Sequence, residues 1–309
     1  KVWASGDMVL KVKEPIESEY GYFREGMLLF TYLHLAAEEH LTKALIESKV
    51  TSIAYETVQL PTRALPLLAP MSEVAGRLSV IVGANAMLRP NGGPGMLVPG
   101  VPGTHPANIV VLGGGVAGTN AVAMAVGLGA NVTVLDTNIQ RLRELDALYA
   151  GRIQTIASNA YEIEKAALQA DMLIGSVLIP GAKAPKLITN DIVKKMKKGA
   201  VLVDIAIDQG GCFEDSHATT HSEPTFAVHD TIFYCVANMP GAAPQTSTHA
   251  LTNATAPYVR ALASKGWKDA LKADGSLALG LSTHDGKLTN AAVGEAHGLP
   301  SVSIDSVLA

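Results

Sequence analysis

Cysteine is almost absent from this chain: Cys212 and Cys235 are the two in 309 residues. They form no CxxC motif and no disulfide framework, which excludes a small stapled fold and points to a reducing, cytosolic setting. An excess of positive charge is missing too. Lys and Arg number 24 against 28 Asp and Glu, a net charge of −4, so no basic stripe exists to neutralise phosphates. Nucleic acid is excluded as a partner on that ground. The run "KKMKK" at 194–198 reads as a solvated helix end whose cations complement the helix dipole. Long apolar runs are lacking as well. The most apolar windows are broken by Ser72, Glu73 and Arg77 or by glycines, well short of a membrane-spanning helix. No basic–apolar–small leader opens the chain, and the sequons at Asn131 and Asn253 carry no weight in a cytosolic protein. The opening "KVWASGDMVLKVKEP" has no initiating Met and enters a domain part-way, so a missing N-terminal segment is expected.

What is present is apolar and regular. Hydrophobic residues make up 48%, enough over this length for a large core and two domains. Short apolar strands alternate with helical stretches almost throughout, the pattern of parallel α/β architecture. Strands are expected at 8–12, 27–32 and 50–55, and "AAEEHLTKALIESK" places Ala37, Leu41, Ala44 and Leu45 on one helical face. Pro61 and Pro66 mark a loop before the long helix "MSEVAGRLSVIVGANAML", and the stretch 92–103, rich in Gly and Pro, is a connector. Further strands are expected at 109–112, 131–135, 152–157, 172–177, 200–207 and 231–237, about six for one doubly wound sheet. After Pro240 the pattern turns helical, "SLALGLSTHDGKLTNAAVGEAHG" included, and returns toward the first domain. No internal repeat and no low-complexity segment is present.

The stretch "IVVLGGGVAGTN" provides Gly113, Gly115 and Gly118 in GxGxxG spacing, directly after a strand and opening a helix. The first glycine permits the tight turn, the second lets backbone approach a pyrophosphate, and the third lets helix and strand pack closely. N–H groups at the helix start then face the anion. The next strand ends in Asp136, 18 residues beyond Gly118, where an acid holds ribose hydroxyls and repels a 2′-phosphate. The combination predicts dinucleotide binding, with NAD favoured over NADP. Arg141, one turn into the following helix, either complicates that preference as a cofactor contact or is an ordinary surface arginine. The fold class expected is α/β: two doubly wound Rossmann-like domains with a cleft between them. Residues 1–68 with 247–309 form the substrate domain, and 69–246 the NAD-binding domain.

Open α/β sheets gather ligands at the carboxyl ends of their strands. Lys13 follows one strand, His34 a second, and Asp208 a third in the other domain. A cation, a proton-moving group and an acid beside the nicotinamide are what a dehydrogenase needs. Taken singly, Lys13 reads equally as a solvated strand end, His34 as a hydrogen-bonded interior histidine, and Asp208 as a turn cap. The pair His217 and His221 in "HATTH" has metal-ligand spacing but lies in a poor setting for a helix; a surface loop is the plainer reading, and no metal site is expected.

The segments "LKVKEP", "LFTYLHLAA", "SIAYETVQ", "PLLAPMSEVAGR", "LGGGVAGTNA", "LIPGAKAPKL", "VDIAIDQGG", "YCVANMPGA" and "TSTHALTNAT" together resemble the L-alanine dehydrogenase family, over almost the whole chain. The resemblance implies an NAD-dependent, reversible oxidative deamination of L-alanine to pyruvate and ammonium by a cytoplasmic homohexamer. It implies that Lys13 contacts the substrate carbonyl or carboxylate, that His34 is the acid/base at the substrate oxygen, and that Asp208 assists proton transfers. It implies cofactor contacts at Ser72, Val116, Ala117 and the glycines, at Asp136 for the ribose and at Ser158 near the adenine. Val177, Leu178, Ile205 and Val236, Ala237, Asn238 and Met239 would line the nicotinamide half. The family opens with a segment carrying a carboxylate-binding arginine to which nothing here corresponds, and His217 stands where some relatives have a cofactor-touching arginine. A related transhydrogenase nucleotide-binding subunit resembles "LAAQNGG" where this chain has "IAIDQGG", so Asp208 marks a deaminating enzyme. The alternatives are that transhydrogenase-like subunit, an amino-acid dehydrogenase of the saccharopine or carboxyethylornithine type, and a non-catalytic NAD sensor.

Overall fold

The computed structural model describes residues 2–177 and 184–309. In chain order its strands are β1 (Met8–Leu10), β2 (Leu28–Thr31), β3 (Thr51–Ala54), β4 (Asn108–Leu112), β5 (Asn131–Asp136), β6 (Ile153–Ala157), β7 (Met172–Gly175), β8 (Val201–Asp204), β9 (Thr225–Val228), β10 (Thr231–Tyr234), β11 (Leu281–His284) and β12 (Lys287–Leu288). The described chain divides into two compact units, 2–70 with 248–309 and 71–177 with 184–247.

The first unit is built on a sheet ordered β1-β2-β3-β11-β12. Strands β1 to β3 run parallel, so their carboxyl ends share one edge. Every residue of β2 and β3 is buried, as suits parallel strands covered on both faces. The helix Glu39–Glu47 between them buries Leu41, Thr42 and Leu45, three positions of one amphipathic stripe. The stretch around 281–288, read from the sequence as helical, is instead a hairpin: β11 pairs antiparallel with β3 and with β12. Asp285 and Gly286 at its tip both have positive φ, 45° and 76°. That is the geometry the Asp-Gly pair favours in a two-residue hairpin turn.

The second unit carries a sheet ordered β6-β5-β4-β7-β8-β10-β9. Six strands are parallel in doubly wound order; β9 is an antiparallel edge, and no strand was expected there from the sequence. Alternate residues feed two separate cores. Ile109 and Val111 of β4 belong to one, Val110 and Leu112 to the other, so both faces of the sheet are dry. Strands were expected through 207 and 237, yet β8 stops at Asp204 and β10 at Tyr234. Asp204 ends β8 itself. Its carboxylate takes the Ala206 N–H, and the chain turns into a short 3-10 helix at Ile207–Gln209.

Candidate active site

In the second unit the strand order reverses between β5-β4 and β7, which is where such sheets hold their ligands. The glycine loop follows β4 there. Gly113 has φ +97, a conformation L side chains rarely adopt, and a Cβ on it would lie 3.0 Å from Val177 Cγ2. Gly118 is tighter still: its Cβ would stand 1.8 Å from the Gly113 carbonyl oxygen and 2.7 Å from Ser176 Oγ. Gly115 is the opposite case, with nothing within 4 Å of that position. The helix Val116–Gly127 starts there, and Gly115 offers no side chain to cap it. Its first-turn N–H groups and the open space at Gly115 therefore form a cradle for a phosphate-sized anion. Gly118→Ala is expected to destabilise the protein by about 1–3 kcal/mol through overpacking and to abolish coenzyme binding. Thermal unfolding with and without NADH checks this, and retained NADH-induced stabilisation would contradict it.

Other elements gather round the loop. Asp136 at the end of β5 accepts from the Gly114 N–H at 2.6 Å through Oδ2 and from the Asn138 N–H at 2.7 Å through Oδ1. Each oxygen keeps a lone pair for a ribose hydroxyl. Arg141 is not a loose surface group. Its Nε donates to the Gly114 carbonyl at 2.7 Å, and its other nitrogens donate to Thr119 Oγ1 and Glu144. Ser158, just past β6, donates its backbone N–H to the Asp136 carbonyl. Ser72 is half-buried on the helix Ala69–Ala86, one turn before Gly76, whose Cβ would fall 2.1 Å from the Ala117 carbonyl oxygen. Helix and loop thus meet closely at Gly76, one turn on from Ser72. Leu178 lies outside the described residues.

The loops after β8 and β10 also meet. Asp208 accepts the Asn238 N–H at 3.2 and 3.1 Å through its two carboxylate oxygens, and Asn238 is in the left-handed region with φ 52°. Asp208 itself is exposed; Ile205 and Ala237 are half-buried, and Val236 and Met239 are buried beneath. Asp204 was given no role from the sequence. Fully buried, it collects the N–H groups of Ala206, Cys212 and Phe213 and the Ser216 hydroxyl, the last at 2.6 Å. Burial raises its pKa against the pull of those bonds. Asp204 ties both ends of the segment that carries Asp208. Cys212 and Cys235 lie beside it, and burial pushes both thiols up to about 12, which removes them as nucleophiles. His217 stacks on Phe226 with ring centroids 3.7 Å apart.

In the first unit, Lys13, His34 and Glu56 follow the carboxyl ends of β1, β2 and β3 in turn. Thr31 Oγ1 donates to the carbonyls of Val12 and Lys13, fixing the backbone under Lys13. His34 has φ 49°, an uncommon conformation for a non-glycine residue. Glu56 holds it there, accepting the N–H of Leu33 at 3.2 Å and of His34 at 2.7 Å. Glu14 Oε2 lies 3.0 Å from His34 Nδ1 and Glu14 Oε1 lies 3.4 Å from Lys13 Nζ. The Tyr32 ring stacks beside the imidazole at 5.9 Å. Burial disfavours the imidazolium, but the Glu14 hydrogen bond and the Glu56 and Glu14 charges outweigh it, with Lys13 opposing; the His34 pKa moves up. Burial likewise raises the Glu14 carboxyl, yet its bond to His34, a backbone N–H and the nearby cations bring it down to about 2. Glu14 and Glu56 were missed in the sequence. Glu14 stands next to Lys13, and Glu56 obeys the same strand-end rule that picked out the other two.

The family description "Alanine dehydrogenase/PNT, N-terminal domain" matches residues 1–75, and "Alanine dehydrogenase/PNT, C-terminal domain" matches 79–291. The chain is 61% identical over 309 residues to an alanine dehydrogenase of Mycobacterium tuberculosis, covering 100% of this chain and 83% of that one. It is 62% identical, with the same coverage, to an alanine dehydrogenase of Mycolicibacterium smegmatis. Among solved structures, an L-alanine dehydrogenase superimposes with a TM-score of 0.89 at 50% identity, covering 99% of this chain and 82% of the other. A transhydrogenase from Sinorhizobium meliloti superimposes at 0.77 with 24% identity over 93% and 80%, a likeness of fold.

Proposed function

This chain belongs to the alanine dehydrogenase/PNT family, and on that premise we propose that it catalyses the reversible, NAD-dependent oxidative deamination of L-alanine to pyruvate and ammonium. One observation carries the reading: the likeness to alanine dehydrogenases runs through all 309 residues, so it takes in the unit bearing His34 and the unit bearing Asp208. The crowding at Gly113 and Gly118, beside open space at Gly115, fits a dinucleotide pyrophosphate. The first turn of the helix Val116–Gly127 would hold the pyrophosphate and Asp136 the ribose. Val177, Ile205 and Val236 to Met239 would face the nicotinamide. Bound NAD supplies the acceptor for the hydride that leaves the substrate Cα.

The side chains of this chain do the rest. Lys13 binds the substrate carboxylate or carbonyl as a cation. Oxidation of the amine leaves an iminium carbon that takes up water, and His34 receives the water proton at its imidazole. Asp208 stabilises the cationic nitrogen and relays protons as the carbinolamine collapses to pyruvate and ammonium. In amination His34 returns the proton to the departing water. We place the enzyme in the cytoplasm as a homohexamer; among the described residues no helix is long and apolar enough to cross a membrane.

A substrate screen following NADH absorbance tests the assignment. Alanine with NAD, and pyruvate with ammonium and NADH, are expected to turn over, glyoxylate more slowly. Turnover only when an amino acid serves as the amine donor to a keto acid would move the chain to the saccharopine type. Hydride exchange between two nucleotides without alanine turnover would move it to the transhydrogenase type, and coenzyme binding with no turnover would make it a sensor.

A further inference from the structure

We propose that Glu14 is the positioning residue of the His34 imidazole, its Oε2 holding the Nδ1 proton so that Nε2 is the ring atom offered to the substrate oxygen. This rests on His34 being the proton-exchanging group. Which nitrogen of a histidine is reactive is set by the hydrogen bond the other one makes. An ionised carboxylate can only accept, so at 3.0 Å from Glu14 the Nδ1 atom is the donor. The acid is also placed between two cations. Its other oxygen is 3.4 Å from Lys13 Nζ, so it offsets the repulsion the ammonium would exert on a protonated ring. The side chains of Glu14 and His34 are 21% and 22% exposed, sheltered enough for the pair to escape most solvent screening.

Two acids divide the work at His34. Glu56, from the turn after β3, binds the backbone N–H groups and so fixes where the Cα goes. Glu14, from the segment after β1, fixes the rotation and tautomer of the ring, with the Tyr32 face limiting its tilt. The charged groups facing the imidazole are therefore Glu14 and Lys13 from one element and Glu56 from another. The raised His34 pKa means that the imidazolium persists to higher pH than usual. Amination, which needs that proton, keeps its rate until the pH passes the raised value, and losing Glu14 brings the decline to lower pH.

The test uses Glu14→Gln and Glu14→Asp in the full chain. Two readouts are taken: the pH dependence of kcat/KM for pyruvate at saturating ammonium, and the His34 titration by NMR of protein labelled with 13C at histidine Cε1. Loss of one signal in His34→Asn assigns His34. For Glu14→Gln the high-pH limb and the His34 titration are both expected to move down by about one unit or more, as for a histidine losing an adjacent opposite charge. NADH affinity should not change. Glu14→Asp keeps the charge but shortens its reach, so a smaller shift in the same sense is expected. A His34 titration matching the parent's in whichever variant folds overturns the proposal. A shifted titration with an unshifted rate profile supports Glu14 as the positioning residue and removes His34 from proton exchange, which separates this failure from that of the functional reading.

Discussion

His34→Ala is expected to lower turnover by roughly 10²–10⁴-fold in both directions, the range that a positioned proton-transfer group contributes. NADH affinity should be unaffected, because the candidate coenzyme contacts belong to the other unit. The structural argument is that much of the first unit's strand-end chemistry is organised around this ring. Glu56 holds its backbone in a left-handed turn, Glu14 engages Nδ1, and Tyr32 flanks it. Alanine at φ 49° adds backbone strain, so His34→Asn is the companion variant, since asparagine tolerates that conformation better. Steady-state kinetics with an NADH titration decides the matter. Both variants should show that loss; turnover above a few per cent of the parent's would take His34 out of the acid/base role.

Asp208→Asn should slow turnover by about 10²-fold or more while sparing NADH affinity. The amide keeps an oxygen for the Asn238 N–H, so the junction of the β8 and β10 loops survives. What is lost is the negative charge, and with it the stabilisation of a cationic nitrogen. An unchanged rate would return Asp208 to the role of a turn cap, since the bond to Asn238 by itself is what a cap makes. The unfolding midpoint should not fall, because the loop's anchor is the separate carboxylate of Asp204; a rate loss accompanied by a lowered midpoint would trace instead to loop disruption.

Legibility followed the range of the interactions. The glycine loop was readable because each glycine answers a local demand: a positive φ at Gly113, an approach at Gly115 and a clash with Gly113 itself at Gly118. Asp136 was readable from its spacing to that loop. Elsewhere local patterns competed. The stretch after Pro240 reads as helical, yet Asp285-Gly286 turned 281–288 into a hairpin, and β9 was passed over among the polar residues near His217. Asp204 breaks a strand in the sequence, but its four partners lie between 206 and 216, and nothing in the apolar pattern announces them.

From the sequence alone, the parallel α/β class, the glycine loop with Asp136 beside it, and the placing of Lys13, His34 and Asp208 after strands were all determined. These rest on periodicity and on backbone demands confined to a few neighbouring residues. Only the tertiary structure decided which groups govern one another: Glu14 on the His34 ring, Glu56 on its backbone, Arg141 on the glycine loop, Asp204 on the loop that bears Asp208. The first three pairs join segments that strand order and register bring together, and the last joins a strand end to the loop that folds back on it.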